Sequence, residues 1–168
     1  MTQFYFIQMD GQDLPLCLQF LYDAALRLKN RHIEQWQYWL DPPKDKVEWV
    51  KKGIENGEFY KVYNENDQII AMFRLLSSDD LYWGPKDDNA RYIHSLVVSD
   101  NAIGNGIGKS IIKTIEKNIL AEGIELLRLD CNATNKELCA YYENLGFLKV
   151  GTVQMPYSLN ALYEKKLV

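Results

Sequence analysis

The sequence predicts a mixed α/β fold: a central, mostly antiparallel sheet with one β-α-β crossover and flanking helices. Three observations carry that prediction. Short runs rich in β-branched and aromatic residues alternate with longer stretches whose apolar residues recur at helical spacing. Two of the runs, 58–63 and 68–76, are joined by Asn64-Glu65-Asn66-Asp67, four turn-prone residues that make an antiparallel hairpin. Two others, 91–98 and 126–131, are separated by a helical stretch, so the right-handed crossover rule makes them parallel.

Taken in order, Phe4 to Met9 alternates and reads as the first strand. Leu14, Cys17, Leu18, Leu21, Ala24, Ala25 and Leu28 then predict an amphipathic helix over 13–29. The segment from Arg31 to Leu40 carries Trp36, Tyr38 and Trp39, which suit either core packing or the wall of a substrate pocket. Asp41-Pro42-Pro43 breaks the chain, and Asp45 is the expected N-cap of a second helix that ends at Asn56-Gly57. After the hairpin, 77–89 reads as a loop holding Asp79, Asp80, Tyr82 and Trp83. Ile93 to Val98 is an apolar strand, and Ile107, Ile111, Ile112, Ile115 and Ile119 form the buried stripe of a helix that stops near Gly123. Leu126 to Cys131 is a strand and Asn132 to Asn135 a turn. Lys136 to Asn144 is a short helix with Leu138, Tyr141, Tyr142 and Leu145 facing inward and Gly146 closing it. Phe147–Met155 and Ala161–Val168 are the last strands, separated by Pro156-Tyr157-Ser158.

A chain of 168 residues with 47% apolar and 25% charged residues fits one soluble domain, 1–168. Net charge is −4, which argues against a broad nucleic-acid surface. Cys17, Cys131 and Cys139 are odd in number and lack metal-type spacing, so they are expected as reduced thiols of a cytoplasmic protein with no metal site. No charged-then-apolar leader opens the chain, and no run approaches 18 apolar residues, so neither secretion nor a membrane is expected.

Function points to the strand-turn-helix at 91–112. Gly104, Gly106 and Gly108 alternate where a strand gives way to a helix. Glycines leave backbone N–H groups unshielded, and the first N–H groups of a helix have no intrahelical partner and carry the positive end of its dipole. That combination suits a phosphate or pyrophosphate. It is not a P-loop, which needs glycine where Ile103 stands, nor a dinucleotide fingerprint, which needs a small residue where Lys109 stands.

The run Gly104-Asn105-Gly106-Ile107-Gly108 resembles the core of the cofactor motif of the GCN5-related N-acetyltransferases. A second family motif follows, with Asn135, then Tyr142, then Gly146-Phe147, after the strand residues Leu127 to Asn132. The resemblance covers roughly 68–155. It implies acetyl-CoA as cosubstrate, an amine as acceptor and direct acyl transfer, with no metal. It places the pantetheine arm on Leu96, Val97 and Val98. The pyrophosphate falls on the amides of Ile103, Gly104, Asn105, Gly106, Ile107, Gly108 and Lys109, with Ser110 closing that site. It sets Asn135, Leu138 and Tyr141 against the cofactor. The family's basic or amide residue before the glycines falls at Ile103, and Lys109 or Lys136 are the expected substitutes for its charge.

The resemblance makes Tyr142 the acid that protonates the departing thiolate. For the base, His94 suits the role because an imidazole titrates near neutral pH. Strand alternation puts it on one face with Tyr92, Leu96 and Val98. Asp79, Asp80 and Glu34 are alternatives that would bind a cationic amine or relay protons. Trp36, Trp39, Asp80 and Trp83 are the expected substrate contacts. His32 reads as a surface residue, and Cys131 and Cys139 as packing. The acceptor is expected to be a small-molecule amine. A protein or peptide amine, or a non-catalytic acyl-CoA sensor, are the other readings, and a homodimer through the late strands is compatible with the family.

Overall fold

The computed structural model describes residues 3–168. Seven strands and five α-helices run in the order β1 (Tyr5–Gln8), α1 (Leu14–Asn30), α2 (Lys44–Glu55), β2 (Phe59–Tyr63), β3 (Ile69–Leu76), α3 (Asp80–Trp83), β4 (Ala90–Val98), α4 (Ile107–Ala121), β5 (Leu126–Asn132), α5 (Lys136–Asn144), β6 (Leu148–Met155) and β7 (Ser158–Lys166). The chain forms two compact units. One holds the residues up to Arg74 together with Ser95–Ile111; the other holds Leu75–His94 and Ile112–Val168. Among the described residues no helix is long and apolar enough to cross a membrane.

In the first unit the strand order is β1-β2-β3 and then the C-terminal part of β4. β1 pairs antiparallel with β2 from Tyr5↔Tyr63 to Gln8↔Tyr60, and β2 with β3 from Phe59↔Arg74 to Tyr63↔Ile69. The hairpin forms at 64–67 as expected. The Asn64 side-chain oxygen accepts from the Asn66 and Gln68 amides, each at 3.0 Å, and so replaces ladder bonds through the turn. α1 turns Cys17, Leu21, Ala24 and Ala25 toward a cluster completed by Val50 and Ile54 of α2 and by Phe59 and Met72. Full burial of a side chain such as Leu21 contributes roughly 2 kcal/mol. Asp45 is not the N-cap of α2. Pro43 holds that position with extended backbone (φ −66°, ψ 160°), and the helix starts at Lys44. Proline's fixed φ suits a helix entrance, so Asp45 lies inside the first turn, where it complements the dipole.

In the second unit the order is the N-terminal part of β4, then β5-β7-β6. The crossover prediction holds: β4 and β5 are parallel, registered from Ala90↔Leu126 to Ile93↔Leu129. β5 pairs with β7, and β6 with β7, antiparallel, so the sheet is mostly antiparallel. β7 starts at Ser158 rather than 161, because Met155 pairs with Ser158 across a two-residue turn. The isoleucine stripe of α4 is buried at Ile111, Ile112, Ile115 and Ile119.

The stretch 77–89 is not all loop, since α3 occupies four of its residues, capped by Asp79. One helical turn is too short to show a period in sequence. α5 has its expected bounds, and Tyr142 faces the buried Phe147 and Tyr163 rings, but the helix is only shallowly packed. None of its residues is fully buried and Tyr141 is 37% exposed. Arg128 on β5 is buried. It donates to Glu164 (2.7 Å), Asp88 (2.7 Å) and the Tyr92 hydroxyl (2.8 Å), and lies over the Trp83 ring.

Candidate active site

The first unit carries the glycine turn. Gly104 and Gly106 have φ of +93° and +68°, values that L side chains rarely adopt, and a Cβ at either would meet no atom within 4 Å. The glycines are therefore required by backbone conformation, and the space above them is open. α4 begins at Ile107, and Ser110 N–H closes its first turn by donating to Gly106 O at 3.0 Å. The amides preceding it in the helix lack intrahelical acceptors by the geometry of any helix start. Those amides and the open face above the glycines fit an anion such as a pyrophosphate.

Ile103 is 45% exposed beside this turn and borders a cavity of about 410 Å³. Arg27 and Arg31, from the end of α1, line the same cavity with Asp100. Arg27 also pairs with Asp100 and donates to Val98 O at 3.4 Å. Two guanidinium groups thus stand where the side chain at 103 brings no charge. Lys109 and Lys136, the residues expected to compensate, are exposed. The arginines went unnoticed in the sequence because they lie some seventy residues away from it.

β4 does not alternate to its end. Ser95 has φ +51°, a left-handed conformation that costs a non-glycine residue roughly 1 kcal/mol. This left-handed residue interrupts the regular alternation from which a shared face for His94, Leu96 and Val98 is expected. Leu96 and Val98 are half-buried and Val97 is buried. Trp39 is buried in the apolar cluster of the first unit with Trp36 packed against it, and Trp83 is buried in a cluster with Ala90 and Tyr92. Burial assigns Trp39 and Trp83 to packing rather than to an open pocket wall.

The second unit holds His94, Asp79, Asp130 and Tyr142. His94 Nε2 lies 2.7 Å from Asp79 Oδ2, and Nδ1 lies 3.5 Å from Asp130 Oδ1. The Tyr82 ring lies 5.0 Å from the imidazole, tilted by 46°. Asp79 reaches His94 because its other oxygen, Oδ1, caps α3 at Tyr82 N–H. Asp80 is in the first turn of α3. Asp130, on β5, was not singled out in the sequence. Its Oδ2 accepts from Asn160 Nδ2 at 2.6 Å, while Oδ1 is buried and has no hydrogen-bond donor among the described residues. Burial raises its carboxyl above the usual range, against the opposing pull of His94 and the Asn160 hydrogen bond. Asp79, His94 and Asp130 also offer three ligand atoms within 4.8 Å of one another, the sort of donor set a cation accepts.

Tyr142 is half-buried on α5, with its ring against Tyr141, Phe147 and Tyr163. Burial, more than its neighbours Cys131, Tyr141 and Asp130, raises its hydroxyl above the ordinary phenol value, so it stays protonated at neutral pH. Asn135 has a structural duty the sequence did not reveal: its side-chain oxygen caps α5 at Leu138 N–H (3.1 Å). Cys131 and Cys139 are free thiols 3.7 Å apart.

The model of the acetyltransferase (GNAT) family matches residues 25–147. Among curated proteins, the uncharacterized N-acetyltransferase YesJ of Bacillus subtilis (strain 168) is 25% identical over 169 residues, covering 98% of this chain and 91% of that protein. A GNAT acetyltransferase structure from Listeria monocytogenes 4b F2365 is 25% identical with a TM-score of 0.78, over 98% of this chain and 95% of that one. The aminoglycoside acetyltransferase AAC(6')-Ib, solved with coenzyme A and kanamycin, is similar in fold: 20% identity, TM-score 0.73, 98% of this chain and 95% of that one.

Proposed function

The chain belongs to the acetyltransferase (GNAT) family and is an N-acetyltransferase, and on that premise we propose that it moves an acetyl group from acetyl-CoA to a primary amine of a small molecule, such as an amino acid, a polyamine or a drug-like amine. The observation that carries the choice of acceptor is the pair of buried carboxylates, Asp79 and Asp130, on the two nitrogens of His94. Buried negative charge favours a compact ammonium group over a neutral acceptor. A fold neighbour that holds coenzyme A together with kanamycin is in keeping with this reading.

On this proposal the two units together make one acetyltransferase domain. The amides of Ile103 to Lys109, with Ser110 behind them, bind the pyrophosphate, and Arg27 and Arg31 supply the positive charge that Ile103 lacks. The backbone of Leu96, Val97 and Val98 binds the pantetheine arm, and Asn135, Leu138 and Tyr141 flank the cofactor. His94 takes a proton from the ammonium, which is mostly protonated at neutral pH and cannot attack until it loses one. The freed amine attacks the thioester carbonyl, the C–S bond breaks, and the Tyr142 hydroxyl gives its proton to the departing sulfur.

Thiol release from acetyl-CoA, measured over a panel of amino acids, polyamines, aminoglycosides and peptides with free N-termini or lysines, tests the reading. Release is expected with members of the small-amine set and not with the peptides. Release with peptides alone would move the acceptor to protein; acetyl-CoA binding without release would make the domain a sensor.

A further inference from the structure

Cys131 and Cys139 have no part in the proposed transfer. Both are free thiols of the second unit, and their sulfurs lie 3.7 Å apart. Cys131, on β5, is buried; Cys139, on α5, is half-buried and reachable from solvent. The Cys139 sulfur also lies 3.8 Å from Asn132 O, over the chain that leaves β5. A disulfide holds its sulfurs at about 2.05 Å, so closure asks for less than about 2 Å of travel. β5 is fixed by its ladder to β7, where Cys131 pairs with Ala161. α5 has no fully buried residue, so it is the element that can move. The pair also lies close to Tyr142. The Tyr163 hydroxyl donates to Glu143 of α5 at 2.9 Å and hydrogen-bonds with the Cys139 thiol, and its ring faces that of Tyr142.

We propose that Cys131 and Cys139 are a modification site: a dithiol that exchanges with a low-molecular-weight disulfide and closes to a reversible bridge, shifting α5 and with it Tyr142. The bridge itself is independent of the proposed function; its effect on turnover rests on Tyr142 being the acid there. Cys139, the accessible sulfur, attacks the incoming disulfide as its thiolate; that S–S bond breaks and one thiol leaves. Burial holds the Cys131 thiol well above its ordinary range, so it reacts second. It loses its proton, attacks the Cys139 sulfur and releases the second thiol. Two protein thiols are oxidised, one disulfide is reduced, and the two cysteine protons end on the two released thiols.

Glutathione disulfide is the probe. The folded protein is incubated with it, quenched in acid, alkylated and analysed by mass spectrometry. The expected product has lost two hydrogens and retains no glutathione. Trypsin cuts after Arg128, Lys136 and Lys149, so the bridge joins peptides 129–136 and 137–149. Dithiothreitol restores both thiols. Cys17, fully buried in the first unit, stays unmodified. Cys131→Ala accumulates one glutathione on Cys139, and Cys139→Ala takes none on Cys131. With an accepted amine, closure lowers the wild-type kcat about 10²-fold, the size of a reacting group misplaced by about 1 Å, and dithiothreitol restores it. Turnover by Cys139→Ala does not respond to glutathione disulfide.

A wild-type protein that keeps both thiols, retains glutathione on Cys139 or links two chains overturns the proposal. A bridge that closes and leaves kcat unchanged overturns its hold on Tyr142. The wild-type spectra decide the site even where Cys131→Ala fails to fold. They need no turnover, so a failure to find any acceptor amine counts against the proposed function and not against the bridge.

Discussion

On the proposed mechanism, Tyr142 is where the chemistry depends on a single oxygen. An ordinary phenol is already protonated at neutral pH, and burial raises this hydroxyl further, so it carries the proton that the proposed acid role requires but releases it less readily. Tyr142→Phe removes that oxygen and little volume. Acetyl-CoA affinity by calorimetry should stay within about twofold, and kcat should fall about 10²-fold, the usual size of a general-acid contribution. An unchanged kcat would move the acid elsewhere. The neighbouring Cys131 thiol is a poor alternative as a covalent acetyl carrier. Burial, with the Cys139 thiol next in effect, pushes the Cys131 thiol well above its ordinary range, so at neutral pH it lacks the thiolate that attack requires.

At the scale of the element, the glycine turn and the start of α4 act as one device. The positive φ at Gly104 and Gly106 aims the amides, and the helix supplies the field. Gly106→Glu should abolish acetyl-CoA binding in a calorimetric titration at concentrations that saturate the wild-type protein, because the new carboxylate projects into open space where an anion is to sit. The left-handed backbone adds a fold cost of roughly 1–2 kcal/mol, so a melting curve should show a lowered but single transition. Retained affinity in a folded Gly106→Glu protein would remove the turn from the cofactor site. α5 is built the other way round, with no fully buried residue but fastened ends. Asn135 caps its start, and Lys165 donates to Leu145 O (2.8 Å) just past its last turn.

Across the whole molecule, the buried charges are the test of cooperativity. Arg128 ties β5 to β7 through Glu164, to β4 through Tyr92, and to the segment before β4 through Asp88. Arg128→Met leaves Glu164 without its partner, and chemical denaturation should show a loss of about 3 kcal/mol, as expected when one member of a buried ion pair is removed. What could be read from the sequence had a local signature: the strand periods, the hairpin residues, the isoleucine stripe and the two spaced motifs. What could not be read was assembled from distant positions, as with Arg27 and Arg31 near Ile103, Asp130 opposite His94, and Arg128 with three partners. Single-residue backbone choices were also hidden, Ser95 among them. That serine has a bearing on descent as well as on geometry. A residue held in the left-handed region directly after His94 narrows the substitutions open to the lineage. Glycine, asparagine and aspartate can replace it at little cost, whereas valine or isoleucine, the common residues of a strand, would be strained in that conformation.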